Sequence, residues 1–209
     1  MIRATLLTLA AALLCLPSMA ADKDGEWKNL FDGKTMTGWR ANENKDSWKI
    51  EDGSLVCHGE RSHLFFEGEK DAFKNFEFEC EVMTTPGSNA GIYFHTKWQD
   101  TGWPRFGQEC QVNVTQSDPK KSGSLYGVVD VPNPGLKDNE WYKTSIRVEG
   151  KHVVIKVNDK TTVDYVEPDG KPAFSADFER RLGEGTFALQ AHDPDSKVYF
   201  RNIKVRRLK

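Results

Sequence analysis

Phe76-Glu77-Phe78-Glu79-Cys80-Glu81-Val82 alternates apolar and polar residues without a break, and this period of two decides how the chain is read. In an extended strand successive side chains point to opposite faces, so Phe76, Phe78, Cys80 and Val82 share one face and Glu77, Glu79 and Glu81 the other. The pattern returns further along in Gly91-Ile92-Tyr93-Phe94-His95, Glu109-Cys110-Gln111-Val112-Asn113-Val114, His152 through Val157 and Phe187-Ala188-Leu189-Gln190-Ala191-His192. Helical periodicity is nearly absent, and only Ala176 to Leu182, closed by Gly183, is expected to make a turn or two of helix. Turn signals at Glu51-Asp52-Gly53, Pro86-Gly87-Ser88-Asn89 and Asn158-Asp159-Lys160 cut the chain into short strands, the pattern of an all-β, antiparallel sandwich or barrel. The irregular stretch from Lys97 to Gly107, holding Trp98, Trp103, Pro104 and Phe106, is long for a compact domain, and such loops are usually functional.

The ends narrow the reading. Met1, Ile2 and Arg3 precede an apolar run from Ala4 to Leu16, then Pro17, Ser18, Met19 and Ala20 ahead of polar residues. That is the order of a Sec signal peptide, too short to span a bilayer, which takes roughly 20 apolar residues. Cleavage is expected after Ala20, giving a secreted or periplasmic protein with a single domain over residues 21–209. Cys15 follows Leu13-Leu14 where a lipobox wants a small residue, which argues against lipidation. Without Arg3 the chain carries 28 Lys and Arg against 31 Asp and Glu, so neither nucleic acid nor an anionic membrane is implied as a partner. Cys57, Cys80 and Cys110 remain, an odd number, and no CxxC or Cys/His spacing points to structural zinc. Cys80 and Cys110 are expected as buried free thiols on strands separated by the one holding Ile92 and Phe94. At about 4.8 Å per strand step, their Cα atoms would stand about 9.6 Å apart, too far for a bridge.

With the apolar phase turned inward, the other phase exposes Glu77, Glu79 and Glu81, then Gly91, Tyr93 and His95, then Glu109, Gln111 and Asn113, then Gln190 and His192. If these strands share one sheet, its outer surface gathers carboxylates, amides, a tyrosine and two histidines, groups suited to a sugar. Alternating Glu on a strand is commonly just a solvated face, and Glu77 and Glu79 are read that way. Glu109 and His192 differ, because each sits among apolar or amide neighbours. Replacing Glu109 by Gln or His192 by Ala is expected to leave the fold intact, since both lie in the polar phase. His58, His63 and His152 read as structural, and Trp27, Trp39, Trp48 and Trp141 as packing. Trp98 and Trp103, in the long loop, are candidates for stacking on a sugar ring.

A resemblance adds to this. Leu30-Phe31-Asp32-Gly33-Lys34 with Thr37-Gly38-Trp39, and Trp48-Lys49-Ile50-Glu51-Asp52-Gly53-Ser54-Leu55, are similar to the start and first hairpin of the 3-keto-disaccharide hydrolase domain family. Asn89 to His95, Glu109-Cys110-Gln111-Val112, Gly123-Ser124-Leu125-Tyr126-Gly127, Asn139-Glu140-Trp141, Leu189-Gln190-Ala191-His192 and Phe200-Arg201-Asn202-Ile203 resemble its middle and end, so the likeness runs from about Trp27 to Leu208. It implies a two-sheet jelly roll of the concanavalin A-like lectin/glucanase type, with a carbohydrate on the concave sheet. Many members carry Arg where this chain has His95 and Asp where it has Asn113.

The substrate class the resemblance implies sets the chemistry. A ketone at C3 of a sugar acidifies the C2 hydrogen, so a base can remove it, the C1 substituent can leave, and water can add back. This needs a base, a holder for the enolate oxygen and an acid for the leaving group. His192 and Glu109 are the candidate bases, protonated His95 or a bound divalent metal the candidate holders, and Tyr126 a donor to the sugar. Glu81 and Gln111 are expected on the same concave surface. Two other readings stand beside this one: a lectin-like module without turnover, and a conventional glycosidase using Glu81 and Glu109 as its carboxylate pair.

Overall fold

The alternating segments all become strands in a computed structural model that describes residues 24–209; the expected signal peptide, its cleavage point and Cys15 lie outside the described residues. In chain order the strands are β1 (Lys28–Asn29), β2 (Trp39–Ala41), β3 (Trp48–Glu51), β4 (Ser54–His58), β5 (Ser62–Phe66), β6 (Phe76–Thr84), β7 (Asn89–Thr96), β8 (Gln108–Asn113), β9 (Tyr142–Glu149), β10 (His152–Val157), β11 (Lys160–Val166), β12 (Thr186–Ala191) and β13 (Lys197–Arg207). They form two antiparallel sheets packed as a concanavalin A-like jelly-roll sandwich. The larger runs β11-β10-β9-β6-β13-β4-β3, with β1 also on β13, and the smaller runs β2-β5-β12-β7-β8. Among the described residues the only helix is one 3₁₀ turn at Lys45–Ser47.

The core lies between the sheets. Phe76, Phe78, Cys80 and Val82 of β6 are fully buried, facing Ala90, Ile92 and Phe94 of β7 and Phe187 and Leu189 of β12 from the opposite sheet. Phe187 is central, with its ring 4.8 Å from those of Phe73 and Phe78 and 4.9 Å from that of Phe76.

Alternation assigns faces but not sheets, and two expectations fail on that distinction. The turn at Pro86-Gly87 does not fold β7 back beside β6; it carries the chain to the other sheet, with Ser88 Oγ and Thr85 N both donating to the carbonyl of Lys197. Cys80 and Cys110 are buried free thiols, as expected, but they sit on opposing sheets rather than two strands apart in one. Glu77, Glu79 and Glu81 point away from the smaller sheet, on the outside of the larger one. There they pair across strands with Arg147 at 2.7 Å, Lys204 at 3.0 Å and Arg201 at 2.7 Å respectively.

The third failure is the helix. Residues 176–182 are irregular, because Ser175 Oγ accepts from the amides of Asp177 and Phe178 and Arg180 adopts a left-handed backbone at φ 47°. That turn sends the Arg180 side chain inward.

Phe187 contacts three core rings, so Phe187→Ala is expected to lower stability by about 3–5 kcal/mol. Chemical denaturation, with an unchanged slope and a lower midpoint, is the check.

Candidate functional site

The outward phase of the smaller sheet forms the floor of a concave face. Tyr93 from β7, Glu109 and Gln111 from β8 and Gln190 from β12 rise from it, and His192 follows one residue after β12 in the phase of Gln190. Three loops wall it in. Residues 97–107 bring Trp103, residues 114–131 bring Asp118, Lys120 and Tyr126, and residues 167–185 bring Phe174, Phe178 and Arg180. Together they line a cleft of about 340 Å³. The Tyr126 loop is laid along β8 by its backbone, with Tyr126 N donating to Glu109 O and Gln111 N to Ser124 O.

At the bottom of the cleft lies a buried ion pair. Arg180 Nη1 donates to Glu109 Oε2 at 2.8 Å, and both side chains are over nine-tenths buried. Gln190 Nε2 donates to Glu109 Oε1 at 3.1 Å and to the Tyr93 hydroxyl at 3.1 Å. Residue 91 is glycine, which leaves room for Glu109: a Cβ there would crowd the carboxylate and press on its Cγ and Cδ at 3.1 Å. The guanidinium lies among aromatic faces, its carbon 5.0 Å from the centre of the Tyr126 ring, 5.6 Å from Phe178 and 5.7 Å from Tyr93. Burial pushes the Tyr93 phenol well up, and the adjacent Glu109 carboxylate adds to it, so the phenol stays protonated. Arg180 Nε and Gln190 Oε1 are buried with no hydrogen-bond partner in the protein. Such atoms are rare, and a ligand is one established reason for them.

His192 stands at the rim with Nδ1 2.5 Å from Asp193 Oδ2, an arrangement that, with the proton assigned to Nδ1, leaves Nε2 with its lone pair. Burial pushes the Asp193 carboxyl up, but hydrogen bonds from His192 and Ser196 outweigh this and hold it below its ordinary value. Tyr126 OH donates to Asp118 Oδ2 at 3.3 Å; burial and then the Asp118 charge push the phenol up, so it keeps its proton at neutral pH.

The structure thus brings Glu109, Gln111, Tyr126, Trp103 and His192 together, and it leaves three expected members out. Glu81 is on the outer face of the other sheet, where burial pushes its carboxyl up but bonds from Arg201 and Asn202 hold it below the usual range. The carboxylate pair Glu81 and Glu109 therefore does not exist as a site. His95 is lost to a bulge: Tyr93 pairs with Ala188 but Thr96 with Thr186, so two residues of β7 oppose one of β12. With φ 55° it turns its ring between the sheets, 5.5 Å edge-on to Phe76, accepting from Gly183 N at Nδ1 and donating from Nε2 to Lys74 O. Burial drops its pKa to about 4, so it is neutral at pH 7 and is no cationic holder. Trp98 packs on Phe65, with Arg40 3.4 Å above its ring, outside the cleft lining. Asn113, in the position often held by Asp, donates to the carbonyls of Asp118 and Lys120 and shapes the Tyr126 loop.

Arg180 had no signature of its own in the sequence. The only hint was indirect, in that a carboxylate such as Glu109 among apolar and amide neighbours needs a cationic partner once buried. Among the described residues no three His, Cys, Asp or Glu side chains converge in a way that could hold a metal ion, and the cations that line the cleft are the buried Arg180 and Lys120 on the Tyr126 loop. A roomier cleft of about 540 Å³ lies at the end of the sandwich beside His95. Two of its ion pairs, Lys171 with Glu167 and Arg181 with Glu179, engage each other, and His95 at its edge is hydrogen-bonded at both ring nitrogens, so the acid–base groups favour the concave cleft.

Because Glu109 neutralises a buried guanidinium, Glu109→Gln is not the silent substitution that its strand phase suggested. It is expected to destabilise the fold by up to about 3–5 kcal/mol, the cost of a buried charge left unpaired. A thermal melt of the variant beside Glu77→Gln, expected to shift far less, is the check.

Comparison with known proteins identifies the family and the fold. The family model described as the 3-keto-alpha-glucoside-1,2-lyase-like domain matches residues 26–206. A 3-keto-disaccharide hydrolase of Bacteroides thetaiotaomicron is 30% identical over 250 aligned positions, which span 96% of this chain and 84% of that protein. Two crystal structures from Parabacteroides distasonis, both carrying a provisional glycosyl hydrolase name, share the fold. One superposes with a TM-score of 0.70 at 21% identity, covering 90% of this chain and all of that one. The other gives 0.67 at 25% identity, covering 88% of this chain and all of that one.

Proposed function

The chain belongs to the 3-keto-alpha-glucoside-1,2-lyase-like domain family, and from that premise we propose that it is a carbohydrate-active hydrolase cleaving 3-keto glycosides by C2 proton abstraction, elimination and hydration. The observation that carries the reading is that one cleft holds a carboxylate-anchored imidazole, His192, together with a buried guanidinium, Arg180. Proton abstraction beside a ketone needs a base and a holder for the enolate oxygen, and these two groups can supply them.

The steps follow from the groups present. His192 Nε2 takes the C2 proton, and Asp193, on Nδ1, orients the ring and stabilises the imidazolium that forms. The electron pair moves onto the C3 carbonyl oxygen, which Arg180 receives. Its charge is preorganised by Glu109 and needs no rearrangement when the enolate appears. The enolate then expels the C1 oxygen substituent, which takes a proton from Tyr126, the phenol held against Asp118. Water adds across the resulting enone, its oxygen to C1 and its released proton to Tyr126, while the imidazolium, whose Nε2 proton exchanges with solvent after the leaving group departs, protonates C2. Trp103 and Phe178 supply apolar walls for the ring. Glu109 is a positioning residue here: both its oxygens are occupied, which argues against the basic role the sequence left open for it. The signal-peptide reading of residues 1–20 extends the proposal to a protein that works outside the cytoplasm.

Incubating the mature protein with a 3-keto-glucoside and with its unoxidised parent tests the reading. Release of the leaving group is expected from the keto sugar alone, with a loss of about 10²–10⁴-fold for His192→Ala. Equal cleavage of both sugars would instead indicate direct glycoside hydrolysis, and binding without turnover of either a lectin-like module.

A further inference from the structure

One buried group near the cleft has no part in that chemistry. His63 lies on β5 with its backbone paired to Gln190 of β12, and its side chain is completely buried. Neither ring nitrogen has a hydrogen-bond partner in the protein. In the neutral ring one nitrogen carries a hydrogen and the other a lone pair, so a donor and an acceptor are both left unused. The neighbours explain the isolation, since Tyr93 and Trp103 each meet the ring edge-on with centroids 5.5 Å away. Trp103 is also a wall of the cleft, and its other neighbour is His192, at 5.1 Å. One indole therefore separates His63 from the space that holds His192, Gln190 and Arg180.

That indole is on a loop pinned to the sheet at Trp98, which packs on Phe65 under Arg40, but held by few ties around Trp103 itself. Gly102 N donates to Glu43 Oε1 at 2.9 Å, Asn42 Nδ2 donates to Gln99 O at 3.1 Å, and Arg61 lies 5.3 Å from the Trp103 ring. The unpartnered Gln190 Oε1 belongs to the residue paired with His63. Burial lowers the His63 pKa to about 3, with the charges of Arg61 and His192 adding to it, so the ring is neutral and able both to donate and to accept. A sugar hydroxyl also does both.

We propose that His63 is a positioning residue of the sugar-binding cleft, screened by Trp103 until a polyhydroxylated ring enters, displaces the indole and hydrogen-bonds the imidazole through one of its hydroxyls. The proposal rests on the carbohydrate reading above and deepens it. It accounts for a fully buried imidazole kept without partners where a leucine or phenylalanine would pack at no polar cost.

The test uses 3-keto-glucose, which has the ring and the ketone but no bond to cleave. Replacing His63 by Phe keeps a flat ring against Tyr93 and Trp103 and removes both nitrogens; His63→Leu does the same with less bulk. Each variant is expected to melt at or above the wild-type temperature while binding 3-keto-glucose at least tenfold more weakly. In wild-type protein labelled with ¹⁵N-histidine, the His63 ring nitrogens are expected to shift as the sugar saturates the site. The proposal is overturned if the sugar binds wild type without moving the His63 nitrogens, if both variants bind like wild type, or if affinity is lost only in step with stability. If wild type binds no sugar at all, the carbohydrate reading falls and this proposal falls with it.

Discussion

The site depends on one buried ion pair, Glu109 with Arg180. Two opposite charges inside a protein are costly unless they neutralise each other and most of their other hydrogen-bonding positions are filled. Much of the local structure does this, and Arg180 Nε is left open toward a ligand. Gly91 leaves room for the carboxylate, Gln190 fills its second oxygen, and the left-handed backbone at Arg180 turns the guanidinium inward. Gln108 donates to the Arg180 carbonyl at 2.8 Å, which ties the arginine's loop to the strand that bears Glu109. The result is a fixed positive charge under aromatic rings at the bottom of a cleft, mostly buried, where water screens it less than at the surface.

The sandwich makes such a pair affordable. The chain crosses repeatedly between sheets, so the apolar phase of every inner strand is covered by the opposite sheet and the concave face is free to be polar. The larger sheet spends its outer phase differently, on cross-strand pairs of Glu with Arg and Lys that stay partly solvated and individually contribute little. The same alternation thus yields a solvated ladder on one sheet and a reaction surface on the other. What separates them is the set of three loops that walls in the second and makes a cleft of it.

This difference also marks what the sequence could and could not tell. The strands, their inward residues, the polar phase holding Glu109 and His192, and the long tryptophan loop were all legible, because period-two alternation is local. Which sheet a strand joins is not local. Glu81 has the same pattern as Glu109 yet faces the other way, since the link after β6 crosses the sandwich. His95 was misplaced because a one-residue bulge inverts the alternation, and nothing in Phe94-His95-Thr96 announces it. Arg180 lay in a stretch with a helical look, and its role arises only when tertiary folding buries it against Glu109. His63 was set aside as a structural histidine, and only its position under Trp103, with both nitrogens unpartnered, distinguishes it.

The account therefore rests on whether the guanidinium and imidazole of this cleft act on a carbon acid. Turning over a 3-keto-glucoside in D₂O and locating deuterium in the product by NMR addresses this directly, because elimination followed by hydration returns a solvent-derived hydrogen to C2, whereas direct hydrolysis leaves the C2–H bond intact. The account predicts deuterium at C2 in step with turnover and well above the enzyme-free exchange rate. Product formed by the enzyme with its original hydrogen still at C2 would contradict it.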